Sequence, residues 1–268
     1  QGPCRGSAVE NRDPGAVAAE RGRAARLAAV LAAVSLFAAT GALCLTRATD
    51  TDLWWHLAGG DLIRRTGEVP RAEPFSFTVI GHRWVDIHWL FQVVLSFLYE
   101  KGGVRALDVL RGALILGVFG ILYARCRRVA GPVTVVAVLL LVTLACQERF
   151  LMRPEIVSWL LMAVFLAALE RALRAEDRAA RRLILFIGLP LLQMLWVNVQ
   201  GLFILGPVFI TLALATAGFE YARARRPAGE KTTARDPDRV VDFLVALALA
   251  ALASLVNPYG AAALRLPF

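Results

Sequence analysis

Seven apolar runs are each close to the length that crosses a bilayer; they lie near residues 25–46, 104–124, 129–147, 155–172, 183–199, 201–219 and 240–256. A hydrocarbon core of about 30 Å is crossed by roughly twenty mostly apolar residues in a helix. Within that core only a helix or a closed barrel satisfies its own backbone polar groups. The runs therefore predict an all-α, polytopic transmembrane helix bundle over residues 24–268 with about seven spans. A hydrophobic content of 58% with 19% charge agrees, being too apolar for an ordinary soluble domain. Gly188 and Pro190 in the fifth run and Pro207 in the sixth predict bent helices, which lipid-embedded segments tolerate.

The arginines order these spans. A net charge of +9 would suit a nucleic-acid partner if it formed one patch, but it is divided into short clusters between apolar runs. Arg21, Arg23 and Arg26 precede the first run, Arg125, Arg127 and Arg128 follow the second, and Arg171 to Arg182 follow the fourth. A further group from Arg223 to Arg239 follows the sixth. With seven spans every cluster lies on the side of the N-terminus, which the positive-inside rule makes the cytoplasm. No nucleic-acid partner is expected. The stretch Trp89 to Tyr99 is apolar too, but a separate crossing there would send the later clusters to the opposite side. It is expected as an interfacial or re-entrant helix.

Residues 1–23, rich in Ala, Gly and Arg without apolar periodicity, are expected as a disordered cytoplasmic tail. The run that follows is too long for the core of a cleaved signal peptide and should stay as a span. Cys4, Cys44, Cys126 and Cys146 match no metal or redox spacing and read as small apolar fillers. A start at Gln1 and an end at Phe268 soon after Asn257-Pro258-Tyr259-Gly260 suggest a chain truncated at the C-terminus.

The outer face then receives the loop 47–103 and three tight connections. In the loop, Asp50 or Thr51 can cap a helix over about 52–66, Arg64 and Arg65 suit its last turn, and Gly67 suits its end. Asp52 and His56, four apart, share a face of that helix. Gly59 and Gly60 are poor helix formers, so something is expected to approach the backbone there. An irregular stretch with Pro70, Pro74 and Gly81 follows.

This loop holds all three histidines, His56, His82 and His88, with Asp50, Asp52, Asp86 and four of the six tryptophans. Imidazole with carboxylate suits several divalent ions, but the spacing matches no ligand signature, and such residues are at home in the interfacial belt. Asp50 reads as a cap or as a functional carboxylate, and Asp52 as either a helix-start carboxylate or a catalytic one. Trp54 and Trp55 read as interfacial anchors or as a platform for substrate. Arg149 and Arg153, in the third connection from the N-terminus, either pair with Glu148 and Glu155 or clamp a phosphate.

Together, the first span, the acidic and aromatic segment Asp50, Asp52, Trp54 and Trp55, the stretch Gly67 to Pro70, the Trp-Leu helix ending in Gly102-Gly103 and the Arg-bearing second span resemble the GT-C glycosyltransferases. The protein mannosyltransferase and lipid A aminoarabinose transferase types are the nearest among them, over roughly residues 25–200. More narrowly, Asp-x-Asp-Leu-Trp-Trp-His-Leu, Pro-Phe-Ser-Phe-Thr, Arg-Pro-Glu, Trp-Val-Asn and Asn-Pro-Tyr-Gly resemble a group of uncharacterised bacterial membrane proteins. The resemblance implies a multi-pass protein of the bacterial inner membrane, N-terminus in the cytoplasm, that takes sugar from a polyprenyl-phosphate lipid.

On that resemblance Asp52, with Asp50 as the alternative, activates the acceptor or helps hold a divalent metal ion. Arg149 and Arg153 bind the lipid phosphate, Glu155 stands at the second acidic position, and His56, Trp54 and Trp55 line the substrate site. Where characterised members more often carry Asp-Glu and a following Tyr, this chain has Asp-Leu-Trp-Trp-His. A non-catalytic reading competes: a lipid or polymer transporter, or a component of envelope assembly, using the same polar pocket for binding alone. The near absence of ionisable residues within most runs, apart from Asp108 and Arg111, weighs against transport.

Overall fold

A computed structural model describes residues 14–45, 50–224 and 237–265. The outermost part of the expected tail, residues 1–13, and Arg225, Arg226, Lys231 and Arg235 lie outside these described residues. The described chain is all helical: α1 Pro14–Cys44, α2 Asp52–Thr66, α3 Trp89–Cys126, α4 Pro132–Cys146, α5 Pro154–Arg174, α6 Arg178–Leu183, α7 Leu189–Val197, α8 Leu205–Ala224 and α9 Pro237–Ala253. It contains no strand, only an isolated antiparallel bridge between Ala72 and Arg83.

The protein is a multi-pass membrane helix bundle. Six helices are long and apolar enough to cross, with α6 and α7 forming one of them as Arg178–Val197. The seventh expected run is α9, a shorter helix of 17 residues. Leu27, Leu31, Leu141, Leu212 and Leu252 point outward, each more than half exposed, as a lipid-facing surface requires. Between helices the contacts are close and partly polar, since lipid supplies no hydrophobic drive for helix association. Ala213 and Ala217 of α8 meet Ala246 and Ala250 of α9 in the core, and Thr40 of α1 hydrogen bonds Thr143 of α4 at 3.2 Å.

Two local outcomes differ from the sequence reading, and a third adds detail to it. Helix α1 begins at Pro14, so residues 14–23 are helical rather than a disordered tail; Pro suits the first turn, and Ala and Arg are good helix formers that need no apolar period. The stretch from Trp89 runs into the second span as one element, α3, bent at Gly103, whose φ of 59° and ψ of −151° only glycine adopts readily. In the fifth span a π-helical turn, Ile184–Gly188, precedes Pro190. Proline lacks the N–H that would bond four residues back and its ring crowds that carbonyl, so the ladder widens.

The two ends of the bundle differ in chemistry. At one end Arg125 of α3 pairs with Glu170 of α5, and Arg181 with Arg182 grips Asp242 of α9 at 2.8 to 3.0 Å. Arg178 pairs with Asp238 alongside. At the other end lie α2, the 67–88 loop and the α4–α5, α7–α8 and post-α9 connections. There Arg71 donates to the Pro258 carbonyl at 3.1 Å and Tyr259 donates its hydroxyl to the Pro70 carbonyl at 2.7 Å. Asn198 donates to the Val256 carbonyl, while its side-chain oxygen accepts from Trp89 Nε1 at 2.9 Å.

Candidate functional site

Helix α2 forms where expected and carries the site. Asp50 Oδ1 accepts the Asp52 backbone N–H at 3.1 Å, and Gly67 closes the helix with φ 73° while donating its N–H to Ile63. The glycine pair admits α3. A Cβ on Gly60 would run into the Gln92 carbonyl, and one on Gly59 into the Gln92 side chain. The absence of side chains thus seats α2 flat on α3, with Leu53, Leu57, Phe91 and Leu95 buried between them.

That seating separates the two aspartates. Asp50 is buried and Asp52 stands out, with side chains 1% and 53% exposed. Arg153 at the N-cap of α5 reaches both. Its Nε and Nη2 donate to the two Asp50 oxygens at 2.8 and 3.0 Å, and Nη2 lies 2.9 Å from Asp52 Oδ2. Forked pairing of this kind is the geometry guanidinium and carboxylate favour. Hydrogen bonding from Arg153 holds the Asp50 carboxyl below its usual range and raises the Arg153 pKa above its own. Arg153 thus pairs with Asp50 and Asp52, through Nε and Nη2, rather than with Glu148 or Glu155 across its turn. Arg149 is exposed and makes no ion pair among the described residues.

The aromatic residues divide between two faces. Trp55 packs edge-on against Phe75 and Trp84, at ring separations of 5.0 and 5.9 Å, and so fastens the 71–84 loop to α2. Trp54 is more exposed and meets Tyr99 at 6.2 Å. Trp54, Ala58, Asp61, Arg64, Tyr99 and Glu100 line a shallow groove of about 720 Å³ between α2 and α3. It does not reach Asp50, His56 or Arg153.

His56 points inward, 8% exposed, with its ring 5.8 Å from that of His88 and 5.4 Å from Phe91. Behind it lies a second acidic group that sequence reasoning noted but did not choose. Asp86, 2% exposed, accepts from Gln92 Nε2 and from the His88 backbone N–H, each at 3.1 Å. Gln92 Nε2 also stands 3.5 Å from His56 Nδ1. Burial pushes Asp86 up to about 6 and His56 down to about 4, and lowers His88 as well. Both imidazoles are therefore neutral at pH 7. The signal for Asp86 was local: an Asp two residues before His88, at the entry to an apolar helix, is a turn-capping position.

Glu155 is half-buried in the first turn of α5, and its Oε2 has no hydrogen-bond partner among the described residues; the same holds for Asp86 Oδ2 and Gln92 Oε1. The set does not fit a divalent ion. Among the described residues no three His, Cys, Asp or Glu side chains converge as metal ligands, and the Asp50 oxygens are already taken by Arg153. Comparison with protein-family models, curated proteins and solved structures finds no match for this chain.

Proposed function

We propose that the protein is a membrane glycosyltransferase that moves a sugar from a polyprenyl-phosphate donor to an acceptor hydroxyl at the extracytoplasmic face of a bacterial inner membrane. One observation carries the reading: Asp52 is an exposed carboxylate fixed by Arg153 on a helix rimmed with tryptophan, at the bundle end away from the arginine clusters. The positive-inside rule makes that end extracytoplasmic.

The chemistry asks little more of such a site. The acceptor oxygen attacks the anomeric carbon, Asp52 takes the hydroxyl proton, and the bond from that carbon to the phosphate oxygen breaks with its electron pair leaving on the lipid phosphate. Asp50, buried and gripped by Arg153, positions that arginine and through it Asp52. Arg149, exposed in the same connection as Arg153, is the cation available to the departing phosphate. The groove beginning at Trp54 offers an aromatic platform for a sugar or acceptor.

A binding-only role, as a lipid or polymer transporter or a piece of an envelope assembly, is favoured by one fact: Arg153 is already neutralised by two carboxylates. Full-length protein in liposomes, given radiolabelled polyprenyl-phosphate sugars, separates the two by the polyprenyl phosphate released. Release that falls at least about a hundredfold in Asp52→Asn is the expected result. An unchanged rate in that variant removes Asp52 from the mechanism, and donor binding without any release supports the second reading.

A further inference from the structure

A groove of about 720 Å³ runs along α1 at the bundle end opposite the proposed active site, between α1 and the last turns of α3. Its floor is Ala29, Ala33 and Ala38, with Phe37 and Tyr123 forming a wall in edge-to-face contact, ring centroids 6.0 Å apart. Two cations, Arg26 and Arg127, stand at its head.

No carboxylate lines this groove. Arg127 lies over the Tyr123 ring, 5.4 Å from its centroid, and neither arginine makes an ion pair among the described residues. This sets the two apart from Arg125, Arg174, Arg178, Arg181 and Arg182 at the same end, which all pair with Glu170, Asp238 or Asp242. From Arg26 to Ala38 the helix rises roughly 18 Å, at about 1.5 Å per residue. Half of a hydrocarbon core is about 15 Å. The groove is therefore one leaflet deep, apolar along its length and doubly positive at the end where that leaflet's phosphates lie.

We propose that this groove binds one anionic diacyl phospholipid, its phosphate held between Arg26 and Arg127 and an acyl chain laid over Ala29, Ala33 and Phe37. Charge complementarity selects the occupant. Two unpaired guanidiniums suit a headgroup of net negative charge, whereas a zwitterionic headgroup brings a cation of its own toward them. The apolar floor selects a lipid over a free phosphate. The inference is independent of the enzymatic reading, since it concerns the other end of the bundle.

The test is native mass spectrometry of the full chain released from nanodiscs holding equal phosphatidylglycerol and phosphatidylcholine. Wild type should retain one phosphatidylglycerol, and the double variant Arg26→Gln/Arg127→Gln should retain about thirtyfold less. Ala33→Phe, which fills the floor and leaves both charges, should also release it. Arg105→Gln should not. A thermal unfolding midpoint equal to that of wild type in lipid-free detergent shows that each variant is folded. Equal retention of the two lipids, or retention unchanged in the double variant, overturns the proposal. So does stabilisation by inorganic phosphate equal to that by the lipid, or a dimer without lipid.

Discussion

The Arg153 guanidinium holds both oxygens of Asp50, at 2.8 and 3.0 Å, across 103 positions of sequence. This pair ties the start of α2 to the start of α5 and leaves Asp52 as the exposed member of the triad. Arg153→Gln strands the buried Asp50 charge. Because Arg153 is 34% exposed, the loss should fall at or below the low end for a broken buried pair, about 2 to 3 kcal/mol. Adding Asp50→Asn should recover part of it, giving a coupling energy of about 1 to 3 kcal/mol in a double-mutant cycle of detergent unfolding. Additive effects would mean the pair is not formed.

The two aspartates should separate in their phenotypes. Asp52→Asn should change stability by no more than about 0.5 kcal/mol, as surface substitutions do, while lowering transfer. Asp50→Asn should lower both, with a stability loss of about 1 to 3 kcal/mol from the unmatched arginine donors. Thermal melts and transfer assays on the same preparations decide the matter; equal stability losses would contradict the difference in burial.

Gly60→Ala should be costly for a methyl group. The added carbon meets the Gln92 carbonyl, a backbone atom that cannot rotate away, so α2 must lift from α3. An overpacking loss of about 1 to 3 kcal/mol is expected. Gly67→Ala, which meets nothing but must hold φ 73°, should cost about 1 kcal/mol. A cysteine cross-link between α2 and α3 should slow in the first variant and not in the second.

Asp86 and His56 pull stability in opposite directions with pH. Asp86 keeps its proton up to about 6 when folded and loses it near 3.8 when unfolded, so its contribution falls as pH rises from about 4 to 6. His56 stays neutral down to about 4 when folded but charges below 6.5 when unfolded, so its contribution rises across that interval. Relative to wild type, Asp86→Asn should therefore make stability climb more steeply between pH 4 and 6, and His56→Gln should make it climb less. The slope should change by up to about 1.4 kcal/mol per pH unit in each case. Parallel profiles for wild type and both variants would place the two groups in water.

Much of this was legible locally. The helix over 52–66, its glycine end and the close approach at Gly59 and Gly60 follow from caps and from the steric meaning of glycine, which need only neighbours in sequence. The bundle followed from the length of the apolar runs. What stayed hidden depends on distant partners. Nothing near Asp50 says that Arg153 will bury it, and nothing near Asp52 says that it will remain outside, because the ordering comes from how α2 lies on α3 and α5. The same applies to Gln92, whose bonds to Asp86 and His56 exist only once the loop has folded back. The early start of α1 was missed because helix formation by Ala and Arg leaves no apolar period to read.

The bond from Tyr259 to the Pro70 carbonyl joins residues 189 positions apart. During synthesis, at roughly 5 to 20 residues per second, the ribosome makes these two residues about 10 to 40 s apart. For that interval the loop after α2 has emerged without the turn that fastens it, although α2 and α3 can already pair. Assembly of the site is thus timed by the emergence of α9 and the turn that follows it. A nascent chain halted before Asn257 should carry a protease-sensitive first loop that becomes resistant once the Asn-Pro-Tyr-Gly turn is released.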